Sequence, residues 1–459
     1  WVKIAFPVSR EVGDQVGALG IRGIMTQPMW IRVYPEGSLA AHVLGFTSLE
    51  GGEGFYGVEG QYDSWLRPYT QPVSRTLDAF GDELPSDVLP LVMPERGSEL
   101  VLTIDRTVQA LAEEELAHAL EEYQATGGTI IVMDPRTFEI LAMASAPTYD
   151  PARYYDYWDE PTPPYEDPAV SKQYEPGSVF KVLTVAAALD CGVVTPETTF
   201  EDPGWIEVGG QVFRNYGGAA YGHHDMVGIF VHSINTAAAR LAVLMGPDTF
   251  YRYMQAFGIG RPTGVDLMGE VAGQLWLPTD YEHWYDGNLG ANSFGQALAV
   301  TPLQMIVAVA TVANDGARLR PHIVLRRVAP DGSVIRYQRI VEAQAISPQT
   351  ARRVSEMLAQ ALEEALPQAR VEGYRIAGKT GTAEIPIPGG YDPENTIVTY
   401  IGYGPLPNPR LIILVKLDRP QKGRLASESA VPTFQRLASR LFVVLNIPPQ
   451  AVALAETAP

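Results

Sequence analysis

Cysteine is almost absent. Cys191 is the single thiol in 459 residues, which excludes an internal disulfide framework and any metal site built on paired cysteines. Histidine is sparse too. There are seven, and although His223, His224 and His232 fall close together, no HExxH spacing links them, so no metal site is expected. No apolar run reaches the roughly 18 residues that a membrane-crossing helix needs. Positive charge is also scarce. The 34 Lys and Arg against 53 Asp and Glu leave a formal charge of −19, and a chain without a basic face is no candidate for binding nucleic acid. No internal repeat is visible. The chain opens on Trp1 rather than Met and reads as a processed or cut fragment, which leaves room for an upstream anchor or signal.

The basic residues that are present are mostly arginine. Lysine occurs only at positions 3, 172, 181, 379, 416 and 422. Arginine suits ion pairing but cannot act as a base, so a lysine kept on this background marks a place where an amine has to lose a proton. Hydrophobic residues make up 46% and charged residues 19% of the chain, the balance of a globular protein. At this length two or three domains are expected.

Residues 1–95 are rich in glycine, proline and aromatics. Stretches such as Arg32 to Gly37 and Tyr56 to Gly60 read as turns between short strands, and Pro94-Glu95-Arg96-Gly97 reads as the linker out of this domain. Residues 96–446 have a different texture. Asp105 caps a helix whose apolar positions run through Val108, Ala112, Leu116, Ala119 and Tyr123 at a 3.6-residue period. A hairpin follows, Thr129 to Met133 and Glu139 to Ala144 about an Asp-Pro-Arg-Thr turn. Residues 147–176 read as an acidic, tyrosine- and proline-rich loop. A helix from Ser178 to Leu189 is apolar on every side and so is buried. Thr301-Pro302-Leu303-Gln304 is a capping box opening a helix to about 313, and Ser347-Pro348 opens another to about 366. Strands at about 373–383, 396–404 and 410–418 precede a closing helix with Phe434, Leu437, Leu441 and Leu445 on one face. Residues 447–459 read as a flexible Pro/Ala tail. Short turns between neighbours predict an α/β (α+β) fold with one antiparallel sheet of about five strands and helices packed on it.

Three short motifs carry chemistry. In Ser178-Val179-Phe180-Lys181 the hydroxyl and amine share a helix face. Burial and the positive helix end both disfavour the ammonium form, and a neutral lysine can take the serine proton. Free N–H groups at the helix start can hold an oxyanion. Alone, this spacing is common and equally describes a capping serine with a snorkelling lysine. In Ser233-Ile234-Asn235 a loop serine can relay a proton and a carboxamide can both donate to and accept from a peptide; an ordinary N-cap is the plain alternative. In Lys379-Thr380-Gly381-Thr382, Gly381 clears a side chain where a substrate backbone could pair against a strand edge. Hydroxyls and a cation there suit a terminal carboxylate. Strict alternation puts Lys379 and the two threonines on opposite faces, so they share one site only on a twisted edge strand.

Together and in this order, the three motifs match an S-x-x-K, S-x-N, K-T-G set. The chain resembles the class B, monofunctional penicillin-binding proteins over nearly its whole length. Arg32 to Phe46, Gly57 to Asp63 and Asp78-Ala79 are similar to that family's pedestal or dimerisation domain. Leu102 to Asp105, Val132 to Ser145, Tyr174 to Lys181, Gly295 to Gln304 and Ile376 to Glu384 are similar to its transpeptidase domain. The resemblance implies a penicillin-binding-protein/serine β-lactamase-like domain with a helical subdomain, preceded by an extended, mostly-β pedestal. It implies Ser178 as acylated nucleophile, Lys181 as general base, Ser233 as relay to the leaving D-alanine and Lys379 as the source of positive potential. Asn235 would hold the substrate amide, Thr380 and Thr382 the carboxylate, and the N–H groups of Ser178 and Thr382 the oxyanion. The implied reaction is D,D-transpeptidation of peptidoglycan stem peptides, without a cofactor, with β-lactams acylating the same serine. An extracytoplasmic, membrane-anchored location and membrane partners of a division or elongation complex are implied, with the Glu175-Pro176-Gly177 context leaning to the division type. Two other readings share nucleophile and base: a serine β-lactamase or D,D-carboxypeptidase, and a non-catalytic β-lactam sensor or scaffold. No E-x-x-x-N loop supports the first, and the pedestal-like sequence weighs against both.

Overall fold

A computed structural model describes residues 2–26, 29, 31–68 and 96–449. Asp78-Ala79, Pro94-Glu95 and the tail from 450 onward lie outside the described residues. The central sheet is built from β1 (Gly127–Met133), β2 (Ile140–Ala146), β3 (Ala377–Ile387), β4 (Gly390–Gly404) and β5 (Leu411–Asp418). All neighbours are antiparallel, in the spatial order β3-β4-β5-β1-β2. The first hairpin therefore sits at one edge and β3 at the other.

Both faces of this sheet are covered, so β1 and β5 read as near-continuous apolar runs, interrupted by Thr129 and Lys416, rather than as alternating ones. On one face Ile130, Val132, Val398, Ile413 and Val415 pack against helices α1 (Arg106–Tyr123) and α6 (Ala430–Val444). On the other face Ile131, Met133, Ile401, Ile412 and Leu414 join one core with α4 (Pro302–Ala313) and α5 (Pro348–Ala365), which lie on the sheet, and with α2 (Lys181–Asp190) and α3 (Asn235–Met245) beyond them. Each such buried side chain contributes about 1.5–3 kcal/mol.

The helix starts follow local chemistry. Asp105 accepts from the Thr107 and Val108 N–H groups. Thr301 and Gln304 cap each other reciprocally, with Pro302 in the first turn. Ser347 accepts from Thr350 N. No helix among the described residues is long and apolar enough to cross a membrane.

Some expectations need correcting. The described part of the N-terminal segment is not a set of strands joined by turns. It holds short helices at Arg10–Ala18, Ala41–Leu44, Gly57–Gln61 and Asp63–Leu66, and one ladder of two residues per strand. Its glycines mislead because Gly13 and Gly17 lie within a helix. Gly57, at φ +45°, opens another helix where an added Cβ would lie 2.5 Å from the Val43 carbonyl. The loop at 147–176 contains a 3-10 segment, Pro151–Tyr157, and a turn of helix, Pro168–Ser171, capped by Asp167. The buried helix starts as a 3-10 turn, Gly177–Phe180, before it becomes α2. Strands β3 and β4 run on toward each other through Pro386 and Pro393, which read as loop residues. A register irregularity between Glu384 and Pro386 absorbs the missing donor.

Candidate active site

The nucleophile turn is pinned before it turns. Tyr174 exchanges both backbone hydrogen bonds with Val300, and Gly177 N donates to Gly295 O at 3.0 Å. A Cβ on Gly295 would lie 2.2 Å from the Gly177 carbonyl, so this crossing admits only glycine. Ser178 then sits in the 3-10 turn and Lys181 opens α2, one turn on, as the spacing predicts.

Lys181 has no exposed surface. Its Nζ lies 3.0 Å from Ser178 Oγ, 2.5 Å from the Ser233 carbonyl, 2.7 Å from Asn235 Oδ1 and 3.2 Å from Ser233 Oγ. Burial holds its pKa well below the ordinary lysine value, and the neighbouring Lys379 lowers it further. The arrangement suits a neutral amine. Two of its oxygens, the Ser233 carbonyl and Asn235 Oδ1, can only accept, and they take its two N–H groups. In the neutral amine that burial favours, the lone pair is left for the Ser178 hydroxyl to donate to, 3.0 Å away. Asn235 cannot flip, because its Nδ2 donates to the Arg214 carbonyl at 3.0 Å.

Ser233 is not an N-cap. Its backbone is left-handed, at φ +54°, a conformation costing about 1–3 kcal/mol in a non-glycine residue. Ile234 occupies the cap position of α3 with no side-chain bond to the helix. The Ser233 hydroxyl lies between the two amines, 3.1 Å from Lys379 Nζ.

Strand β3 is an edge strand, and it lies against the nucleophile turn. Ala377, Lys379, Gly381 and Ala383 are buried on one side of it. From that face Lys379 reaches back to the Thr380 carbonyl at 2.9 Å and to Thr380 Oγ1 at 3.3 Å. The long side chain thus joins two faces that alternation separates. Burial pushes Lys379 down to about 7. Gly381 serves a purpose beyond the expected one. A Cβ there would stand 2.8 Å from both Pro176 O and Val179 Cγ2, so the glycine lets the strand close on the nucleophile turn. Thr382 Oγ1 accepts from Ala426 N at 3.2 Å, which leaves its hydroxyl hydrogen available to a ligand.

The structure thus gathers Ser178, Lys181, Ser233, Asn235, Lys379 and Thr380 into one hydrogen-bonded cluster, with Gly381 and Thr382 on the adjoining strand. Sequence reasoning missed a second layer, Asp202 and Asn215, behind α3. The Asp202-Pro203-Gly204 turn signal is the one trace of it in the sequence, and nothing in its spacing ties it to Asn235. No group of three or more His, Cys, Asp or Glu that could hold a metal occurs among the described residues.

A buried Ser-Lys pair beside a second serine and a lysine-bearing edge strand, on a five-stranded antiparallel sheet, is an arrangement chemically able to carry out serine acyl transfer. A family model of the penicillin binding protein transpeptidase domain matches residues 128–439, and one of the penicillin-binding protein dimerisation domain matches 15–102. The chain belongs to the penicillin-binding proteins with this transpeptidase domain. It is 33% identical to the stage V sporulation protein D of Bacillus subtilis over 90% of this chain and 64% of that protein. It is 30% identical to the probable peptidoglycan D,D-transpeptidase PenA of Neisseria meningitidis, covering 98% and 74%. A crystal structure of penicillin binding protein 3 of Mycobacterium tuberculosis with aztreonam superposes with a TM-score of 0.80 at 32% identity, covering 91% and 92% of the two chains. The chain spans a little under two thirds of the length of several curated relatives it matches.

Proposed function

We propose that this chain is a serine D,D-transpeptidase that cross-links peptidoglycan stem peptides through an acyl-enzyme on Ser178. The observation that carries the reading is the 3.0 Å contact between Ser178 Oγ and a buried Lys181 amine whose two N–H groups are taken by carbonyl oxygens. Ser178 Oγ attacks the carbonyl of the penultimate D-Ala as its proton passes to Lys181. The N–H groups of Ser178 and Thr382 take up the oxyanion. The C–N bond then breaks, and the leaving D-Ala receives the proton from Lys181 by way of the Ser233 hydroxyl. An amine of a second stem attacks the ester, loses its proton along the same route and restores Ser178. The hydroxyls of Thr380 and Thr382, with Lys379 behind them, hold the terminal carboxylate, and the second hydrogen on Asn235 Nδ2 meets the substrate amide. β-Lactams acylate the same serine. That relatives are named D,D-transpeptidases, and that one matched structure contains aztreonam, supports this reading.

The same reading divides the chain into a pedestal, 1–95, a transpeptidase domain, 96–446, and a tail, 447–459. It places the enzyme at the extracytoplasmic face of the membrane, working with membrane partners of the wall-synthesis machinery, in the division role. The name of one relative, peptidoglycan D,D-transpeptidase FtsI of Escherichia coli, supports a role in wall synthesis.

Intact mass spectrometry after exposure to a penicillin tests the proposal. Wild type is expected to gain one adduct and Ser178→Ala none, and Lys181→Ala to acylate about 10²- to 10⁴-fold more slowly. An adduct on Ser178→Ala, or wild-type speed in Lys181→Ala, overturns the mechanism. Rapid catalytic turnover of the penicillin shows a hydrolase instead.

A further inference from the structure

Helix α3 carries Asn235 in its first turn yet lacks a cap of its own, because Ile234 has no side-chain acceptor. Its first N–H groups are satisfied from elsewhere in the chain. Asn215 Oδ1 accepts from Asn235 N at 2.9 Å and from Thr236 N at 3.1 Å. The amide of Asn215 is oriented in turn by Asp202, whose Oδ2 accepts from Asn215 Nδ2 at 2.7 Å. Asp202 also accepts from Thr236 Oγ1 at 2.6 Å, Gly204 N at 2.9 Å and Tyr221 N at 3.0 Å. Asp202, Asn215 and Thr236 are each only 4% exposed.

Every partner of the carboxylate is a donor. Burial alone would raise its pKa, but these hydrogen bonds outweigh burial and keep it below the ordinary aspartate value. It is thus an anion facing the positive end of α3, where it is favoured. The strand that ends at Arg214 supplies the remaining contact, from its carbonyl to Asn235 Nδ2. One hairpin therefore grips Asn235 by its backbone and its side chain together. Asn235 and the strained Ser233 are two of the groups that hold Lys181 Nζ, and a left-handed serine persists only where its surroundings over-determine it.

We infer that Asp202 is a positioning residue for the reaction: acting through Asn215 and Thr236, it sets the start of α3 and so holds Ser233 and Asn235 against Lys181. The inference rests on the reading of Ser178 and Lys181 as nucleophile and base. Asp202→Asn tests it with little change in volume, since the new NH₂ must face either Thr236 Oγ1 and Gly204 N or Asn215 Nδ2 and Tyr221 N. The rate of acylation by a fluorescent penicillin, measured from about pH 5 to pH 10 alongside the melting temperature, is the readout. Acylation by folded Asp202→Asn is expected to fall about 10- to 100-fold, the cost of misplacing a catalytic group by up to an ångström. The acid limb of the profile is expected to move to lower pH, because loosening Asn235 Oδ1 removes an acceptor that favours the lysine ammonium. Thr236→Val, which deletes the hydroxyl's bonds to Asp202 and Asn215 and keeps the shape, is expected to show the same two effects at smaller size, and it serves where Asp202→Asn does not fold. Acylation within twofold of wild type in a folded variant, or a slower rate with an unmoved acid limb, overturns the inference. Failure of wild type itself to acylate overturns the functional reading instead, so the two failures are distinct.

Discussion

Replacing Gly381 with alanine separates two explanations of the glycine in the edge strand. If it clears a path for substrate, an added methyl leaves the free protein unchanged. The structure instead puts that methyl 2.8 Å from Pro176 O and from Val179 Cγ2. One of these is backbone in a turn pinned to Gly295 and Val300, so neither side yields easily. Restoring ordinary contact at about 3.4 Å requires strand and turn to part by about 0.6 Å. Overpacking of this kind costs about 1–3 kcal/mol. In a chain of this size that corresponds to a loss of roughly 1–4 °C in melting temperature. The same movement draws Lys379 and the Thr382 N–H away from Ser178. With about 10²-fold lost per ångström of misplacement, acylation should slow about tenfold or more. Differential scanning fluorimetry and the acylation rate with a fluorescent penicillin measure both effects on one preparation. A variant that melts within 1 °C of wild type and acylates within about twofold would refute the packing argument.

Other outcomes follow from the electrostatics. At acid pH the charged Lys379 helps keep Lys181 neutral, and only neutral Lys181 can take the serine proton. Lys379→Met should therefore raise the Lys181 pKa and shift the acid limb of the acylation profile to higher pH; a shift to lower pH contradicts the assignment. Burial raises the Glu175 carboxyl to about 7, against an ordinary 4.5, although Ala297 N and the Tyr391 hydroxyl pull it down. Between these values the unfolded chain has lost this proton and the folded chain has kept it, so stability falls as pH rises through about 4.5–7. Glu175→Gln should match wild type near pH 4.5 and exceed it by up to about 3 kcal/mol above pH 8 in urea melts. An equal difference at both pH values rules this out.

The local starts of the fold were legible in the sequence because their causes are local. Asp105, the Thr301–Gln304 box and Ser347 each satisfy N–H groups within three residues, and the i, i+3 spacing of Ser178 and Lys181 needs nothing beyond one helical turn. The N-terminal helices and the long β3–β4 hairpin were misread for the opposite reason. Glycine and proline read as breakers in one dimension, while packing against distant backbone and a register irregularity let them stay inside regular structure.

Within the site, the motifs named the residue types but not their arrangement. Sequence alone determined that a serine and a lysine share a helix turn, that lysine is scarce enough to be informative, and that a hydroxyl-rich glycine strand follows. Tertiary structure decided that Ser233 lies between two amines 52 and 146 residues away from it, and that both amines are buried enough to titrate far below ordinary lysine. It also decided that Gly381 exists for close packing, and that Asp202 stands behind the motif without belonging to it. Contacts across such separations depend on how layers pack, and a one-dimensional pattern does not carry the distance between two layers.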